Sequence, residues 1–261
     1  MMTLDEMAKR ALEASLKKEK IFLAYPILLL TTLISVFVLA ILDNAHDWVV
    51  FGAISVPVYL SIGLVGSLSV FIHRLYYHEL KGETIDYKEI FKASMNRMWN
   101  GVFLALPLIL THVILWVFMG LFYLLQGVPF VGPIIAVLFS MLPFAFMMIM
   151  TILPLFAFFI LFYGSTFFAF DLKVDLDNLK ENPLTIAKHF AIGTVPLLLG
   201  GVVLGVIYWA TMDLFGVTNN IVALSLQRLF LLAPFSFYLT PFVLFFFHFG
   251  LESYRHFYKK V

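Results

Sequence analysis

Ionisable and polar side chains inside apolar stretches are the first place to look for chemistry, because a charge in hydrocarbon is costly and is kept where it does something. His112, beside Thr111, sits near the middle of a long uncharged run. A neutral imidazole there either bonds a neighbouring helix or handles a proton or a polar ligand. Asp213 ends one apolar run and Arg228 precedes the next, where an ion pair closing two adjacent helices is the natural expectation. The functional alternative is a gated outer vestibule shared with Asn219 and Asn220. His73 and His248 stand near the ends of two further runs, followed by Glu79 and Glu252. Their spacing fits no metal-ligand motif, so both histidines are expected at a membrane–water interface, together with Trp99.

The remaining candidates carry less. Asp43, His46 and Asp47 would suit a cation or a solvated turn, and Asp171, Asp175 and Asp177 alternate on a polar linker. There is no phosphate-binding glycine loop, nucleophile elbow, His-Glu-x-x-His or dinucleotide fingerprint. The absence of cysteine excludes disulfides, zinc-thiolate sites and iron–sulfur clusters. No catalytic residue, cofactor or metal is expected.

The elements that hold these residues are dictated by composition. Of 261 residues 62% are hydrophobic and only 13% charged, with a mean hydropathy of +0.98. Soluble domains are about one quarter charged, so the expectation is an all-α, polytopic transmembrane helical bundle. A net charge of +1 supplies no basic face for nucleic acid. Stretches of about 20 apolar residues, enough to cross about 30 Å of hydrocarbon, occur at Ile21–Leu42, Trp48–Ile72, Gly101–Leu125, within Gly127–Phe170, at Ala191–Met212 and at Leu229–Leu251. The fourth is too long for one crossing, and Pro133, Pro143 and Pro154 are its candidate breaks. An outer interfacial or re-entrant piece near Gly132–Leu142, then one kinked span over Pro143–Gly164, is expected.

Charge decides the crossings. With six spans, 16 of the 17 basic residues fall on one side, leaving only Arg228 on the other. Since Lys and Arg concentrate on the cytoplasmic side, both termini are expected to be cytoplasmic. The inner segments read as short amphipathic helices lying in the interface. Thr3-Leu4-Asp5-Glu6 has capping-box form, Asp86–Trp99 carries Phe91, Met95, Met98 and Trp99 on one stripe, and Asn182-Pro183 starts a third before Leu184, Ile186, Ala187 and Phe190. Pro26, Pro107 and Pro196 share apolar flanks and lie 81 and 89 residues apart. A single membrane domain, 1–261, with a threefold repeat of hairpins (1–80, 81–171, 172–261) is the reading this suggests, with successive units parallel.

This layout resembles a group of bacterial six-span membrane proteins that includes YciC-type proteins and the membrane domain attached to some glycerophosphoryl diester phosphodiesterases. The resemblance rests on an inner helix leading into each odd span, clearest at Asn182-Pro183-Leu184-Thr185-Ile186-Ala187-Lys188-His189-Phe190. It implies an integral membrane protein, of a bacterial inner membrane, with no catalytic motif to carry over.

A nearly charge-free interior suits apolar cargo better than ions, which need polar coordination. The expected function is therefore non-enzymatic handling, transport or sensing of lipid or another amphipathic molecule, with membrane lipids as partners. A scaffold or accessory subunit docking a protein partner through its inner helices is the second reading. An intramembrane enzyme using His112 or Asp213 is the third.

Overall fold

The computed structural model describes residues 3–42, 45, 49, 53, 55–103, 105–170, 183–212 and 220–258. Among them the principal elements are all helices: α1 (Leu4–Ser15), α2 (Lys18–Ile41), α3 (Ser55–Leu80), α4 (Tyr87–Phe103), α5 (Leu106–Gln126), α6 (Val131–Leu138), α7 (Leu142–Phe170), α8 (Pro183–Met212) and α9 (Ile221–Tyr258). No strand occurs among the described residues. Five stretches are long and apolar enough to cross a membrane: α2, α3, the α4–α5 segment, α8 and α9. The bent pair α6–α7 makes a sixth if counted as one span. Large apolar side chains such as Leu110, Ile114, Phe118, Leu121 and Leu124 of α5 point outward, as expected of a multi-pass membrane protein.

α1 starts at a full capping box. The Glu6 backbone N–H donates to Thr3 Oγ1 at 3.3 Å, and the Thr3 backbone N–H donates to Glu6 Oε2 at 2.8 Å, so two donors left free by the helix start are satisfied reciprocally. Its small buried face of Met7, Ala11, Ala14 and Ser15 packs against α9. That face is therefore used on protein rather than on lipid. α4 buries Ile90, Ser94 and Gly101 against α3, while Phe91, Met95, Trp99 and Phe103 are exposed.

Several boundaries differ from those read in the sequence. α3 continues past Ile72 through His73 to Leu80, and α9 runs 38 residues, beyond Leu229–Leu251 at both ends. At about 1.5 Å per residue α9 reaches about 57 Å. The reason is that helical hydrogen bonding does not stop at the edge of an apolar run when the polar residues beyond it find partners inside the bundle. α8 is likewise one helix from Pro183, with Pro196 in its interior, where a separate interfacial helix was expected. A short helix at Val131–Leu138 does precede α7, but the 57° break comes at residues 139–141. Pro143 then occupies the first turn of α7, where its missing N–H costs nothing.

The closest helix crossing falls on Gly66 and Gly101. A Cβ on Gly101 would lie 2.5 Å from the Gly66 carbonyl oxygen, and one on Gly66 would lie 2.7 Å from that of Gly101, so α3 and α4 touch backbone to backbone. Gly63 adds an ordinary contact with Val102 and Ala105 of the α4–α5 segment. Gly201 and Gly205, spaced for close approach, face open space instead. Phe162 of α7 is the keystone of the other half. It is fully buried, its ring covers Gly193 of α8, and its carbonyl lies where a Cβ on Gly250 of α9 would come within 2.7 Å.

Candidate functional site

Two features can do something: an apolar cleft between α8 and the rest of the bundle, open along Val58, Leu198 and Val202, and a buried polar network at the charged end. The cavity follows from how α8 is held. α8 packs on α9 and on a little of α7, and among the described residues makes no extensive contact with α2 or α3. The space left between them is a cavity of about 470 Å³ lined by residues of α2, α3, α7, α8 and α9, within the range of small-molecule sites. Among the described residues Ser35 and Ser61 are the only polar lining side chains; the rest are aliphatic or aromatic, such as Val65, Val243 and Phe247. Gly201 opens the α8 wall, since nothing lies within 4 Å of where its Cβ would stand. An apolar ligand fits such a space. An ion, which needs replacement of its hydration shell by polar atoms, does not.

The polar network joins α1, α2, α3 and α9. Lys20 is wholly buried, and its ammonium reaches Glu79 Oε2 at 2.6 Å and His248 Nε2 at 3.2 Å, with the Tyr76 ring centroid at 4.8 Å. All three ammonium hydrogens therefore have an acceptor, the third being an aromatic face. Because Lys20 donates to Nε2, His248 must carry its proton on Nδ1, which donates to Ser15 Oγ at 3.1 Å. Ser15 in turn donates to the Ala11 carbonyl at 2.5 Å. The chain runs one way, from ammonium through imidazole and hydroxyl to a helix carbonyl. A Ser–His nucleophile would need the opposite sense, with serine giving its proton to histidine, so this serine is a strut. Beside it Tyr76 donates to Glu252 at 2.9 Å, Arg10 lies 3.7 Å from the same carboxylate, and Lys17 lies 3.2 Å from Glu79.

The residues singled out by sequence scatter across the molecule. His112 is buried, with Nδ1 3.5 Å from Tyr59 OH and the two rings 5.3 Å apart. α3 thus supplies its neighbour, and neither side chain lines the cavity. Thr111 turns outward and donates to the Pro107 carbonyl at 2.8 Å. Arg228 is 8% exposed and engaged within the fold. Asp213 and Asn219, like Asp43, His46, Asp47 and the acids at 171, 175 and 177, lie outside the described residues. Trp99 is exposed.

His73 and His248, expected at a membrane–water interface, have their side chains buried within the protein. They are 1% and 0% exposed. His73 donates from Nδ1 to the Ser69 carbonyl at 2.6 Å and stands beside the Phe247 ring. Lys20 was not distinguishable in the sequence, since a lysine just before a span is ordinarily a solvated flank. Its i,i+3 spacing from Lys17 was the one available sign of a shared face. His189, which bonds Ser253 at 3.1 Å and lies beside His256, was equally hidden. Among the described residues no group of three or more His, Cys, Asp or Glu could hold a metal.

Comparison of the chain with protein-family models, curated proteins and solved structures gives no match.

Proposed function

We propose that this chain is a non-enzymatic membrane protein that holds the hydrocarbon portion of a lipid or another amphipathic molecule inside its helix bundle. The cavity of about 470 Å³ between α8 and the α2–α3 pair, whose described lining is apolar but for two serines, carries this reading. The chemical classes of its candidates weigh against catalysis: Ser15 and Lys20 are fully committed to structural hydrogen bonds, and His112 is buried against Tyr59.

In this reading the chain crosses a bacterial inner membrane six times, α6–α7 counting once, with both termini cytoplasmic. The threefold repeat is part of it, and a pattern of contacts supports it. Lys20, Gly101 and Phe190 each lie six residues before Pro26, Pro107 and Pro196 respectively. Each meets the second long helix of the preceding hairpin: Lys20 meets His248 of α9, Gly101 meets Gly66 of α3, and Phe190 meets Phe162 of α7 with ring centroids 5.6 Å apart. Such a ring of contacts closes on itself, as three parallel units about one axis would. The resemblance in layout to YciC-type proteins belongs to the same proposal.

The test is purification in mild detergent, extensive washing, and quantification of retained lipid by mass spectrometry. Wild-type protein should keep lipid in a fixed ratio. Gly201→Phe, at a lining position where an added Cβ has nothing within 4 Å, should lose it while keeping its melting transition. Absence of retained lipid in the wild type, or equal retention in Gly201→Phe, counts against the proposal.

A further inference from the structure

The cleft beside α8 has two unlike ends, and the register of its helices tells them apart. At the charged end Lys20 of α2 meets His248 of α9, and His73 of α3 stands against the Phe247 ring with centroids 5.8 Å apart. These residues mark one level across three helices. Phe246, Phe247 and Leu161, the lining residues nearest that level, are all buried, so this end is blind.

The two polar lining side chains stand at the other end. Ser35 follows Lys20 by 15 residues and Ser61 precedes His73 by 12. At about 1.5 Å per residue they lie about 22 Å and about 18 Å from the charged level, so α2 and α3 bring two hydroxyls to nearly one height on the cleft wall. Val58, close by on α3, is exposed. So is Val202 of α8, about 18 Å along its helix from Phe190, whose ring contacts Phe162 beside Phe246. The cleft is therefore blind and aromatic at one end, open and hydroxyl-lined at the other.

The two hydroxyls differ in their remaining hydrogen-bonding capacity. Ser35 donates to the Thr31 carbonyl at 2.9 Å, which leaves its oxygen as an acceptor. Ser61 is half-buried and has no hydrogen-bond partner among the described residues, so it keeps both a donor and an acceptor. In hydrocarbon an unmet hydroxyl is costly, because no water replaces the missing partner. With a hydrocarbon core about 30 Å thick beginning near Lys20, both serines lie well inside it. A carboxylate or phosphate held at that depth would need a cation, and none stands among the described lining residues. A ligand hydroxyl meets the requirement, since it can donate to Ser35 and accept from Ser61.

We infer that the cleft takes a hydrocarbon chain ending in an uncharged hydroxyl, a long-chain alcohol or a monoacylglycerol, with the chain laid toward Phe247 and the hydroxyl held at Ser35 and Ser61. The inference rests on the reading of the cleft as a hydrocarbon site and adds the class of head group. No covalent step is involved.

The experiment measures equilibrium binding to the full chain in a sterol-based detergent, which brings no alkyl chain of its own. Three tritiated compounds of one chain length are compared: hexadecanol, its methyl ether and hexadecyl phosphate. Wild-type protein should bind the alcohol roughly three- to tenfold tighter than the other two, as one well-made hydrogen bond supplies. Ser35→Ala and Ser61→Ala should each bring the alcohol toward the ether, and Ser61→Thr should keep the preference. The alanine variants remove one atom and add none, and unchanged ether binding reports that the cleft is intact. Monopalmitoylglycerol, run beside hexadecanol, separates the two sources of such a hydroxyl, and a preference for either over the ether supports the class. Equal binding of the three compounds, tightest binding of the phosphate, or a preference that survives in both alanine variants overturns the hydroxyl assignment and leaves the hydrocarbon site standing. Absence of binding of all of them, or binding unchanged in Gly201→Phe, overturns the hydrocarbon site and the head group with it.

Discussion

Lys20 Nζ lies 3.2 Å from Nε2 of His248 and 2.6 Å from a carboxylate oxygen of Glu79, with the lysine and the histidine both shut away from solvent. Removing one partner of a buried charge pair strands the other, typically at about 3–5 kcal/mol, whereas replacing both with apolar residues is often neutral. The two single variants should therefore differ. Glu79→Ala should cost about 3–5 kcal/mol because it strands Lys20. Lys20→Met should cost less, since Glu79 keeps Lys17 at 3.2 Å and some exposure. The Lys20→Met, Glu79→Leu double variant should be more stable than Glu79→Ala. Unfolding followed by circular dichroism in detergent gives all three, and equal losses for the two single variants would contradict the network.

Glycine substitutions should separate a close helix crossing from a glycine that faces open space. Gly101→Ala puts a methyl within 2.5 Å of the Gly66 carbonyl oxygen, and backbone cannot yield as a side chain can, so a loss of about 1–3 kcal/mol or more is expected. Gly205→Ala, in open space, should be neutral or stabilising by up to about 1 kcal/mol through helix propensity. Melting temperatures of the two purified variants make the comparison.

The start of α1 should respond to acid. The backbone N–H of Thr3, and then its side chain, hold the Glu6 carboxyl below its ordinary value of 4.5. A group whose folded value is depressed stabilises the folded form above its unfolded value, and that contribution disappears as the pH falls through the folded value. Hydrogen exchange at the first turn of α1 should accordingly be protected at neutral pH and lose protection relative to the rest of the helix only below about pH 4.5. Glu6→Gln should abolish that pH dependence, whereas Thr3→Ala, which keeps the backbone N–H, should cost about 1 kcal/mol of local stability through the lost cap and only weaken the pH dependence. Persistence of the acid response in Glu6→Gln would assign it elsewhere.

Topology can be read directly, because the natural chain contains no cysteine. Single cysteines at Lys9, Lys88 and Lys188 should react with an impermeant maleimide from one face of the membrane, and one at Gln126 from the other. Reaction of positions 9 and 188 from opposite faces would remove the six-crossing proposal and the parallel hairpins.

Composition and periodicity were enough for the class of this protein, its apolar helices and the capping box at Thr3. These depend on local chain properties: how many apolar residues follow one another, and which side chain can reach a neighbouring N–H. The short helix at Val131–Leu138 was legible for the same reason, since an apolar run too long for one crossing must break. The burial of Lys20 and the choice of Gly66 and Gly101 over Gly201 and Gly205 were decided only when the helices packed. So was the cavity beside α8. Each of these depends on which faces of distant helices meet. A lysine is solvated or buried according to whether Glu79 and His248, 59 and 228 residues away, arrive beside it. A glycine marks a contact or a void according to what stands opposite, and spacing along one helix carries no record of that.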